Sequence, residues 1–510
     1  MQATTLTLHR EFSVAPVDER IYGGFLEHLG RAVYQGVYEP DSPHADEHGF
    51  RRDVLDALAG LRMTAMRYPG GNFASGYHWT DGIGPKSQRP TLRELAWQSL
   101  EPNHFGTDEF LTLCGQMSWT PMMTVNLGTG TPEEAGAWVD YCNSPVGAKW
   151  SNLRASNGRR DPWGVKLWCL GNEMDGQWQI GHVPADQYAI RAQQAAKIMK
   201  DMDPTIETVL CGTCGFWMPT YLEWDRAVLQ HCGDFVDHLS VHRYVGNRDG
   251  DSPNYLAEGV RISRHIQDMD VACRFVQAQR KSKKRVTLAF DEWNVWYRAN
   301  DGNGRGVFAP HLLEEVYNVE DAMVAAGFLM AFLRHADAVK IANLAQIVNV
   351  IAPIMTDGDK MVRQTIYWAF EMLSKRRTGV SLTPAVRGPQ YESKTDGKHD
   401  GLMIDYVDTA AIFDGEKCCG GDGAADAKLH VFLANRSLDE SAEVRIRLLD
   451  KSLTKLVNGD LLTGDKNATN TIDNPDNITP KPLTEIVFKD GEAVVKLPPL
   501  GLAAMTLAVS

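Results

Sequence analysis

Two glutamates closely follow apolar runs of the sequence: Glu173 comes after residues 165–170, and Glu292 after residues 286–290. A carboxylate at the end of a buried strand is costly to desolvate unless it is paired or functional. Two carboxylates that face one cavity can cleave a glycosidic bond, because one protonates the leaving oxygen while the other attacks the anomeric carbon or activates water. The alternative is that each glutamate pairs with an arginine at a rim. For the two together, with Asn172 beside Glu173, we favour catalysis.

Other polar side chains also stand where apolar runs end. They are Glu27, His28, Arg67, Asn72, Asn126, Asn172, His242, Tyr244, Asn294 and Gln346. Aromatic rings lie in or near the same segments, and such rings can stack on the C–H faces of a sugar. These rings belong to Trp97, Trp178, Trp293, Trp296 and Tyr244. Ordinary packing explains some of them, Trp293 above all, so the aromatic residues support a sugar site without establishing it.

The elements that must position these residues alternate along the chain. Apolar runs occur at residues 21–26, 64–68, 121–126, 165–170, 208–211, 235–241, 286–290 and 339–345. Helical patterns occur between or after them, at residues 54–61, 107–115, 132–143, 185–202, 255–280, 320–336 and 364–376. Nearly continuous apolar strands that alternate with helices indicate parallel strands buried on both faces. The pattern predicts an α/β fold, a (β/α)8 TIM barrel, whose catalytic groups project from the carboxyl ends of its strands.

The pattern changes after residue 376. Short alternating segments separated by turn residues predict a C-terminal antiparallel β-sandwich, jelly-roll-like, over residues 377–510. Residues 1–16 also alternate, and we expect them to add a strand to that sandwich, which leaves residues 17–376 as the catalytic barrel. Within the barrel, Thr131 followed by Pro132 and by Glu134 at the third helical position predicts a capping box.

The composition of the chain indicates which kinds of molecule it can bind. The 510 residues include 52 Lys and Arg against 65 Asp and Glu, a net charge of −13, and 43% are hydrophobic. Such an acidic globular chain should repel nucleic acids and anionic membranes, and it suits a neutral or cationic partner. We identify no secretion signal and no membrane span. Nine cysteines without a leader are typical of reduced thiols in a cytoplasm.

Motifs of other enzyme classes are incomplete. The Gly128-Thr129-Gly130 segment resembles the start of a dinucleotide loop, but Glu133 stands at the third glycine position, where it would repel a pyrophosphate. Cys211 and Cys214 form a CxxC without a second pair at zinc-finger spacing, which favours buried thiols over zinc or a redox pair. No HExxH occurs, and no HxH follows the first run, so we predict neither a metal nor a cofactor. We have no physical account of Cys418 and Cys419.

Five longer motifs carry a resemblance to a known family. They are IYGGFLEHLGRAVYQGVYEP, MRYPGGNFASGYHWTDGIGP, WCLGNEMDGQWQIGH, LAFDEWNVWY and ANLAQIVNVIAPIMT. Together and in this order they resemble glycoside hydrolase family 51, the intracellular α-L-arabinofuranosidases, and the resemblance continues to LPPLGLAAMTL near the C-terminus. It implies a barrel with a C-terminal sandwich, retention of anomeric configuration, no metal, and a hexamer.

The resemblance also implies a function and residue roles. The enzyme would release terminal non-reducing α-L-arabinofuranosyl residues from neutral arabinose-containing oligo- and polysaccharides such as arabinoxylan and arabinan, in the cytoplasm. Glu173 matches the general acid/base and Glu292 the nucleophile. The residues that match binders of the arabinofuranosyl unit or the substrate are Glu27, Asn72, Asn172, Tyr244, Gln346 and Trp296. Residues 298–308 are glycine-rich, and no family role is transferred to them.

Two alternatives stay open at the level of sequence. A different retaining glycosidase on a similar barrel, such as a β-xylosidase or an endo-glucanase, would use the same pair of glutamates. A catalytically silent carbohydrate-binding or assembly protein would not need both Glu173 and Glu292, and their presence argues against that class.

Overall fold

A computed structural model of the chain describes residues 2–300, 302, 304–394, 401–415 and 427–510. Its strands, in chain order, are β1 (Gln2–Leu8), β2 (Ser13–Pro16), β3 (Gly23–Phe25), β4 (Ala65–Tyr68), β5 (Leu92–Arg93), β6 (Leu100–Glu101), β7 (Thr120–Thr124), β8 (Leu167–Leu170), β9 (Glu207–Leu210), β10 (His238–Val245), β11 (Thr287–Val295), β12 (Val339–Ala345), β13 (Ile354–Asp357), β14 (Lys360–Arg363), β15 (Val380–Leu382), β16 (Ala385–Arg387), β17 (Gln390–Glu392), β18 (Met403–Asp405), β19 (Val407–Asp414), β20 (Lys428–Asn435), β21 (Ala442–Leu448), β22 (Leu453–Leu462), β23 (Lys481–Pro482), β24 (Ile486–Lys489), β25 (Glu492–Leu497) and β26 (Leu502–Val509).

At least one helix lies between each pair of successive barrel strands from β3 to β12. The helices are α1 (Arg52–Gly60), α2 (Thr107–Met117), α3 (Pro132–Asn143), α4 (Lys149–Ser156), α5 (Ala185–Met202), α6 (Glu223–Cys232), α7 (Ser252–Leu256), α8 (Glu258–Arg280), α9 (Val319–Arg334) and α10 (Thr365–Ser374). Short 3-10 turns span Glu19–Tyr22, Asn72–Gly76, Trp79–Gly82 and Lys86–Gln88. Among the described helices, none combines the length and the apolar character that crossing a bilayer requires.

Eight strands close into a parallel barrel, as predicted. Their order around the barrel is β3, β4, β7, β8, β9, β10, β11 and β12, and β12 pairs with β3 to close the ring. Each predicted apolar run supplies one of these strands, and α3 and α5 have the predicted bounds. The predicted helix 255–280 is instead two helices, α7 and α8, with a break at Ala257. Helices α4 and α6 were not predicted, because α4 is short and mostly polar and α6 begins after Leu222, a residue that gives no capping signal.

The start of α3 differs in one hydrogen bond from the predicted capping box. The Thr131 side chain accepts the Glu134 N–H at 3.2 Å, and Pro132 occupies the first turn, as expected. The Glu134 carboxylate does not turn back to the cap, because it accepts a 2.9 Å hydrogen bond from His78 Nδ1. The contact with His78 therefore replaces the hydrogen bond that a capping box would form between the Glu134 side chain and the Thr131 backbone N–H.

Two further sheets pack face to face around an apolar core, which confirms the sandwich. One has the order β16-β1-β21-β25-β24 and the other β2-β15-β19-β20-β26-β22-β23. Leu6, Leu8, Val444 and Val431 belong to the shared core. The pairing of β1 with β21 is parallel, although we expected antiparallel strands only, while β1 meets β16 in the antiparallel sense.

Helices α9 and α10 connect the barrel and the sandwich. Residues on every face of α9 are buried, and α9 contacts β19 and β20 while α10 contacts β22 and β26. In β19, Ala410 and Ile412 pack into the barrel core, whereas Ala411 packs into the sandwich core. The central strands of the larger sheet, β19, β20 and β26, are therefore buried on both faces. Arg334 joins the two parts through a 2.9 Å ion pair with Asp408.

Candidate active site

A cavity of about 520 Å³ opens at the carboxyl ends of the barrel strands. Most of the predicted site residues line it: Glu27, Asn72, Glu173, Tyr244, Glu292, Trp296 and Gln346. Asn172 lies directly behind this lining, where its Nδ2 is 3.5 Å from Asn72 Oδ1 and 3.3 Å from Gln179 Oε1. The barrel thus brings all the predicted residues to one place.

Glu292 lies inside a strand rather than after one. The apolar pattern placed the end of this strand at residue 290, but β11 continues to Val295, and β10 continues to Val245. Both strands remain paired through irregularities in register, between Ser240 and His242 and between Phe290 and Trp293. A bulge re-aims side chains, so polar residues within these strands can face the cavity without ending the sheet.

Both oxygens of the Glu292 carboxylate are hydrogen-bonded. Arg67 Nη1 donates to Oε1 at 2.6 Å, and the Tyr244 hydroxyl donates to Oε2 at 2.9 Å. Arg67 also donates from Nη2 to Asn172 Oδ1 at 2.7 Å. One buried guanidinium therefore fixes the orientation of both Glu292 and Asn172.

A network of buried charges supports these residues from below. Arg67 Nε lies 3.2 Å from Asp291 Oδ2, and His242 Nε2 lies 3.4 Å from Asp291 Oδ1. Burial opposes the ionisation of Asp291, but Arg67 and His242 hold the pKa of this carboxyl below its ordinary value. Burial alone would lower the pKa of His242, but three neighbouring carboxylates raise that pKa well above its ordinary value. His242 is therefore a cation at neutral pH, placed among carboxylates.

Glu173 meets this network through His242. His242 Nδ1 lies 2.9 Å from Glu173 Oε1 and 3.6 Å from Glu292 Oε2. Trp178 Nε1 donates to the other oxygen, Glu173 Oε2, at 2.8 Å. Carboxylate oxygens of Glu173 and Glu292 approach within 4.8 Å of each other. Glu173 has a φ of +42°, a left-handed conformation that is costly for a residue with a side chain and that often marks functional sites.

Two glycines after β4 let the backbone pass between carboxylates. A Cβ on Gly71 would stand 2.7 Å from Glu292 Oε1, and a Cβ on Gly70 would stand 2.8 Å from Glu27 Cγ. Real side chains do not tolerate such contacts, so any substitution here would displace a carboxylate. The Gly-Gly pair thus has a steric function in this wall of the cavity.

Glu27 is buried and accepts hydrogen bonds on both oxygens. The Phe73 N–H donates to Oε1 at 2.9 Å, Trp97 Nε1 to the same atom at 3.2 Å, and Gln346 Nε2 to Oε2 at 3.3 Å. Burial raises the pKa of Glu27 to about 8, and nearby Glu292 adds to the shift while the Phe73 N–H opposes it. Glu27 can therefore exchange a proton near neutral pH.

The tryptophans near the site either line the cavity and its mouth or, like Trp293, are fully buried. Trp296 lines the cavity and packs edge-on against Tyr244, with ring centroids 5.6 Å apart. Trp178 and Trp217 stack at the mouth and are exposed, at 47% and 56%. Trp293 is fully buried against Phe328 and Phe332, so ordinary packing explains this residue.

Arg67 and His242 contact the predicted catalytic pair, although we assigned them no role from the sequence. Both were noted as polar residues at the ends of runs, and Arg67 sits in a fully buried strand of otherwise apolar and aromatic residues. An arginine in such a strand needs a buried anion, and this signal could have predicted its pairing.

The cysteines are consistent with reduced thiols. Cys211 and Cys214 are both buried and unbonded to another cysteine, and burial raises the pKa of each thiol. Cys418 and Cys419 lie outside the described residues.

One group in the described part of the chain has the donors to hold a metal ion: Glu173, His242 and Glu292. Their ligand atoms already have other partners, since Arg67, Tyr244 and Trp178 donate to the two carboxylates. A cation here would compete with a buried guanidinium at Glu292, which is unfavourable.

We therefore expect exhaustive dialysis against EDTA to leave kcat/KM on an aryl glycoside unchanged. Acid/base hydrolysis needs no metal, and the donors at this site are already used. The assay compares dialysed enzyme with and without added Mg²⁺, Ca²⁺ or Zn²⁺. Lost activity that one of these ions restores would contradict the expectation.

Asn172 offers a second test of the site. Arg67 donates to its Oδ1, whereas its Nδ2 makes only long contacts, 3.3 Å to Gln179 Oε1 and 3.5 Å to Asn72 Oδ1, so Nδ2 is the group that can turn to a ligand hydroxyl. A hydrogen bond to a sugar 2-hydroxyl that strengthens in the transition state supplies several kcal/mol. We expect Asn172→Ala to lower kcat/KM by roughly 100-fold, mostly through kcat. A raised KM with an unchanged kcat, in steady-state kinetics, would mean uniform binding instead.

Known proteins resemble this chain over nearly its whole length. Residues 57–251 match the family description "Alpha-L-arabinofuranosidase 1 domain", and residues 291–501 match "Alpha-L-arabinofuranosidase C-terminal domain". The chain is 44% identical over 452 residues to intracellular exo-α-(1→5)-L-arabinofuranosidase 1 of Bacillus subtilis, with 88% of each chain covered. It is 39% identical to exo-α-(1→6)-L-arabinofuranosidase of Bifidobacterium longum, over 99% of this chain and 97% of the relative.

Solved structures agree with the sequence relatives. A family 51 α-L-arabinofuranosidase from Bifidobacterium longum superposes with a TM-score of 0.92 at 34% identity, with 99% of each chain covered. An α-L-arabinofuranosidase from Thermotoga maritima, solved as an arabinose complex, gives a TM-score of 0.87 at 34% identity, over 99% of this chain and 100% of that one.

Proposed function

The chain belongs to the α-L-arabinofuranosidases of glycoside hydrolase family 51, and we propose that Glu173 and Glu292 carry out its reaction by a retaining double displacement. The enzyme is an exo-acting α-L-arabinofuranosidase of arabinose-containing substrates. The single observation that supports the mechanism is the approach of the two carboxylates to within 4.8 Å. Retaining glycosidases hold their carboxyl groups ~5–5.5 Å apart, and inverting ones ~6.5–9.5 Å, because a water must fit between.

In the first half of the reaction, Glu292 attacks the anomeric carbon and Glu173 donates a proton to the leaving oxygen. Arg67 and Tyr244 hold the Glu292 carboxylate in one orientation for this attack. The leaving alcohol departs, and a glycosyl ester forms on Glu292 with inverted configuration. His242 and Trp178 each contact one of the two carboxyl oxygens of Glu173, and these two contacts orient its side chain.

In the second half, Glu173 takes a proton from a water molecule. The oxygen of this water attacks the anomeric carbon, and the ester bond to Glu292 breaks. Glu292 leaves as a carboxylate, and the second inversion restores the configuration of the substrate. The cationic His242, near both glutamates, is suited to stabilise the charge that moves between them.

The arabinofuranosyl unit is bound, in this proposal, by the side chains of Glu27, Asn72, Asn172, Tyr244 and Gln346. Asn172 and Glu27 supply polar groups whose directions the surrounding hydrogen bonds fix. Trp296 lies against Tyr244 and contributes an apolar surface for the sugar or its leaving group.

The anomer of the first product tests retention directly. We expect proton NMR of the wild-type reaction on 4-nitrophenyl α-L-arabinofuranoside to show α-arabinofuranose first, with other forms appearing only as the sugar mutarotates. A β-arabinofuranose signal at the earliest time points would mean a single inversion, and the double displacement would be wrong.

We further propose that the substrates are neutral oligosaccharides from arabinan and arabinoxylan. An L-arabinofuranosyl unit carries no charge, and the relatives are named for enzymes that release this unit. Two relatives are named for α-(1→5) and α-(1→6) linkages respectively, so both linkages are candidates. The Bacillus subtilis relative is named intracellular, which supports a cytoplasmic location.

The resemblance to the family also supports a hexamer. The outer faces of α5 and α8 expose Ile190, Val271 and Phe275, at 55%, 63% and 54%. Val271 and Phe275 are four residues apart on α8 and so lie on one face of this helix, and a contiguous exposed apolar patch is typical of a contact between subunits.

A further inference from the structure

A second cavity of about 520 Å³ lies at the rim of the barrel. Its walls include His78 and Asp81 from the segment after β4, Glu133 and Glu134 from the first turn of α3, and the indoles of Trp79 and Trp150. None of these residues takes part in the mechanism described above.

The polar groups of this cavity are available to a ligand. Asp81 is half-buried, and no hydrogen bond to its carboxylate occurs within the described part of the chain, while burial raises its pKa. Glu133 is exposed and likewise lacks an ion pair among the described residues. His78 Nδ1 and Glu134 form a 2.9 Å pair that adds a donor and an acceptor.

The charges exclude the simplest ligands. Three carboxylates line this cavity, against His78, which is paired with Glu134, and Lys149, which lies over the Trp150 ring, so the balance of charge disfavours an anion although a helix begins here. For a metal ion, ligand atoms must converge, and in the described ranges the only converging group is the catalytic one, Glu173, His242 and Glu292. The carboxylates of Asp81, Glu133 and Glu134 are separate hydrogen-bond acceptors, and such acceptors suit a saccharide, whose hydroxyl donors are spread over several ångströms.

The aromatic wall has the rigidity that a sugar platform needs. Trp150 is half-buried and packs edge-on against Trp79, with ring centroids 5.2 Å apart. Trp79 Nε1 donates to the Glu134 carbonyl at 3.2 Å, and Lys149 Nζ stands 3.9 Å from the Trp150 ring centroid. These contacts fix the position of the Trp150 indole beside the acceptors.

The second cavity is joined to the catalytic one by a short piece of chain. Asn72, in the catalytic wall, and His78 belong to the same segment after β4, and α3 follows β7, the next strand of the barrel. Six residues span at most about 22 Å even when fully extended. A linear saccharide of several units is long enough to reach from one cavity to the other.

We propose that this cavity, the rim site, binds the distal part of a neutral arabino-oligosaccharide whose non-reducing end occupies the catalytic cavity. The inference rests on the proposed function for the identity of the ligand. The rim site would raise the affinity for long substrates without touching the bond that breaks.

The test uses the full-length enzyme and substrates of different length. We expect Trp150→Ala and Asp81→Asn each to lower kcat/KM on α-(1→5)-linked arabino-octaose by about three- to tenfold, the size of one aromatic or polar contact. Arabinobiose and 4-nitrophenyl α-L-arabinofuranoside are too short to reach the rim site, and their kcat/KM should stay unchanged. Trp163→Ala is the matched control, since Trp163 is also half-buried under a cation, Arg159 at 3.7 Å, but lies outside the cavity.

Binding is measured separately in the inactive Glu292→Ala background by calorimetry with arabino-octaose. Adding Trp150→Ala should weaken this binding by the same factor. If both rim variants keep the parent enzyme's kcat/KM on arabino-octaose and its affinity for this ligand, the rim site is overturned. Tighter binding of linear xylo-octaose than of arabino-octaose would overturn it as well. If Trp150→Ala fails to fold, Asp81→Asn decides the result. An enzyme that hydrolyses no arabinofuranoside would refute the proposed function, while the binding experiment would still test the rim site.

Discussion

Glu292→Ala should lose at least about 10⁴-fold in kcat on every arabinofuranoside, whatever the leaving group. No other carboxylate can replace it, because Arg67 and Tyr244 hold this one at the anomeric carbon and Asp291 is already tied to Arg67 and His242. The measurement compares 4-nitrophenyl and 2,4-dinitrophenyl arabinofuranosides, and we expect both to fail equally. Glu292→Gln, with the same volume but no nucleophile, should fail as well, which separates the chemistry from a packing defect.

Azide identifies the role of Glu292 stereochemically. In Glu292→Ala, azide can occupy the vacated space and attack once, so the expected product is the β-arabinofuranosyl azide. Proton NMR distinguishes the two anomers. An α-azide from this variant would mean that another residue forms the ester and that the assignment is reversed.

Glu173→Ala should have an effect that depends on the leaving group. Removal of a general acid costs about 10²–10⁴-fold where the leaving oxygen needs a proton, so arabinobiose should be affected most. The 2,4-dinitrophenolate group leaves without protonation. We therefore expect a burst of dinitrophenol followed by a stall of the glycosyl-enzyme ester, because no base activates water. Stopped-flow absorbance would record both phases.

Azide should rescue Glu173→Ala and give the α-azide, since it attacks the Glu292 ester without a general base. Trp178→Phe is the matched control: it removes the 2.8 Å hydrogen bond to Glu173 but keeps an aromatic ring, and it should cost less than about tenfold. A β-azide from Glu173→Ala, or a loss that is the same for both leaving groups, would exclude Glu173 as the acid/base.

The barrel was predictable because its strands and helices carry unambiguous patterns. β8 is four consecutive buried residues, and α3 begins at a proline behind a threonine cap. The positions of Glu173 and Glu292 near strand ends then follow from the general rule for such barrels. The extension of β11 through Glu292 was not predictable, since polar residues at a bulge look like the end of a strand.

The contacts of Arg67 and His242 could not be predicted from the order of residues in the sequence. Arg67 and Glu292 are 225 positions apart, and their contact exists only because the closed barrel places β4 and β11 around one lumen. Likewise, Glu134 bonds His78 rather than its own helix cap because tertiary packing offers a closer partner. The parallel pairing of β1 with β21 has the same origin, because strand direction depends on the path of the intervening chain.

The position of β1 has a consequence for biosynthesis. The ribosome makes β1 several hundred residues before its partners, β16 (Ala385–Arg387) and β21 (Ala442–Leu448). At roughly 5–20 residues per second, the strand waits about 20–75 s for its first partner. During that interval Leu6, Leu8 and two rows of backbone hydrogen-bonding groups are uncovered, a ready template for the same strand on a neighbouring nascent chain. Slower initiation, which spaces the ribosomes on one message, should therefore increase the fraction of chains that mature.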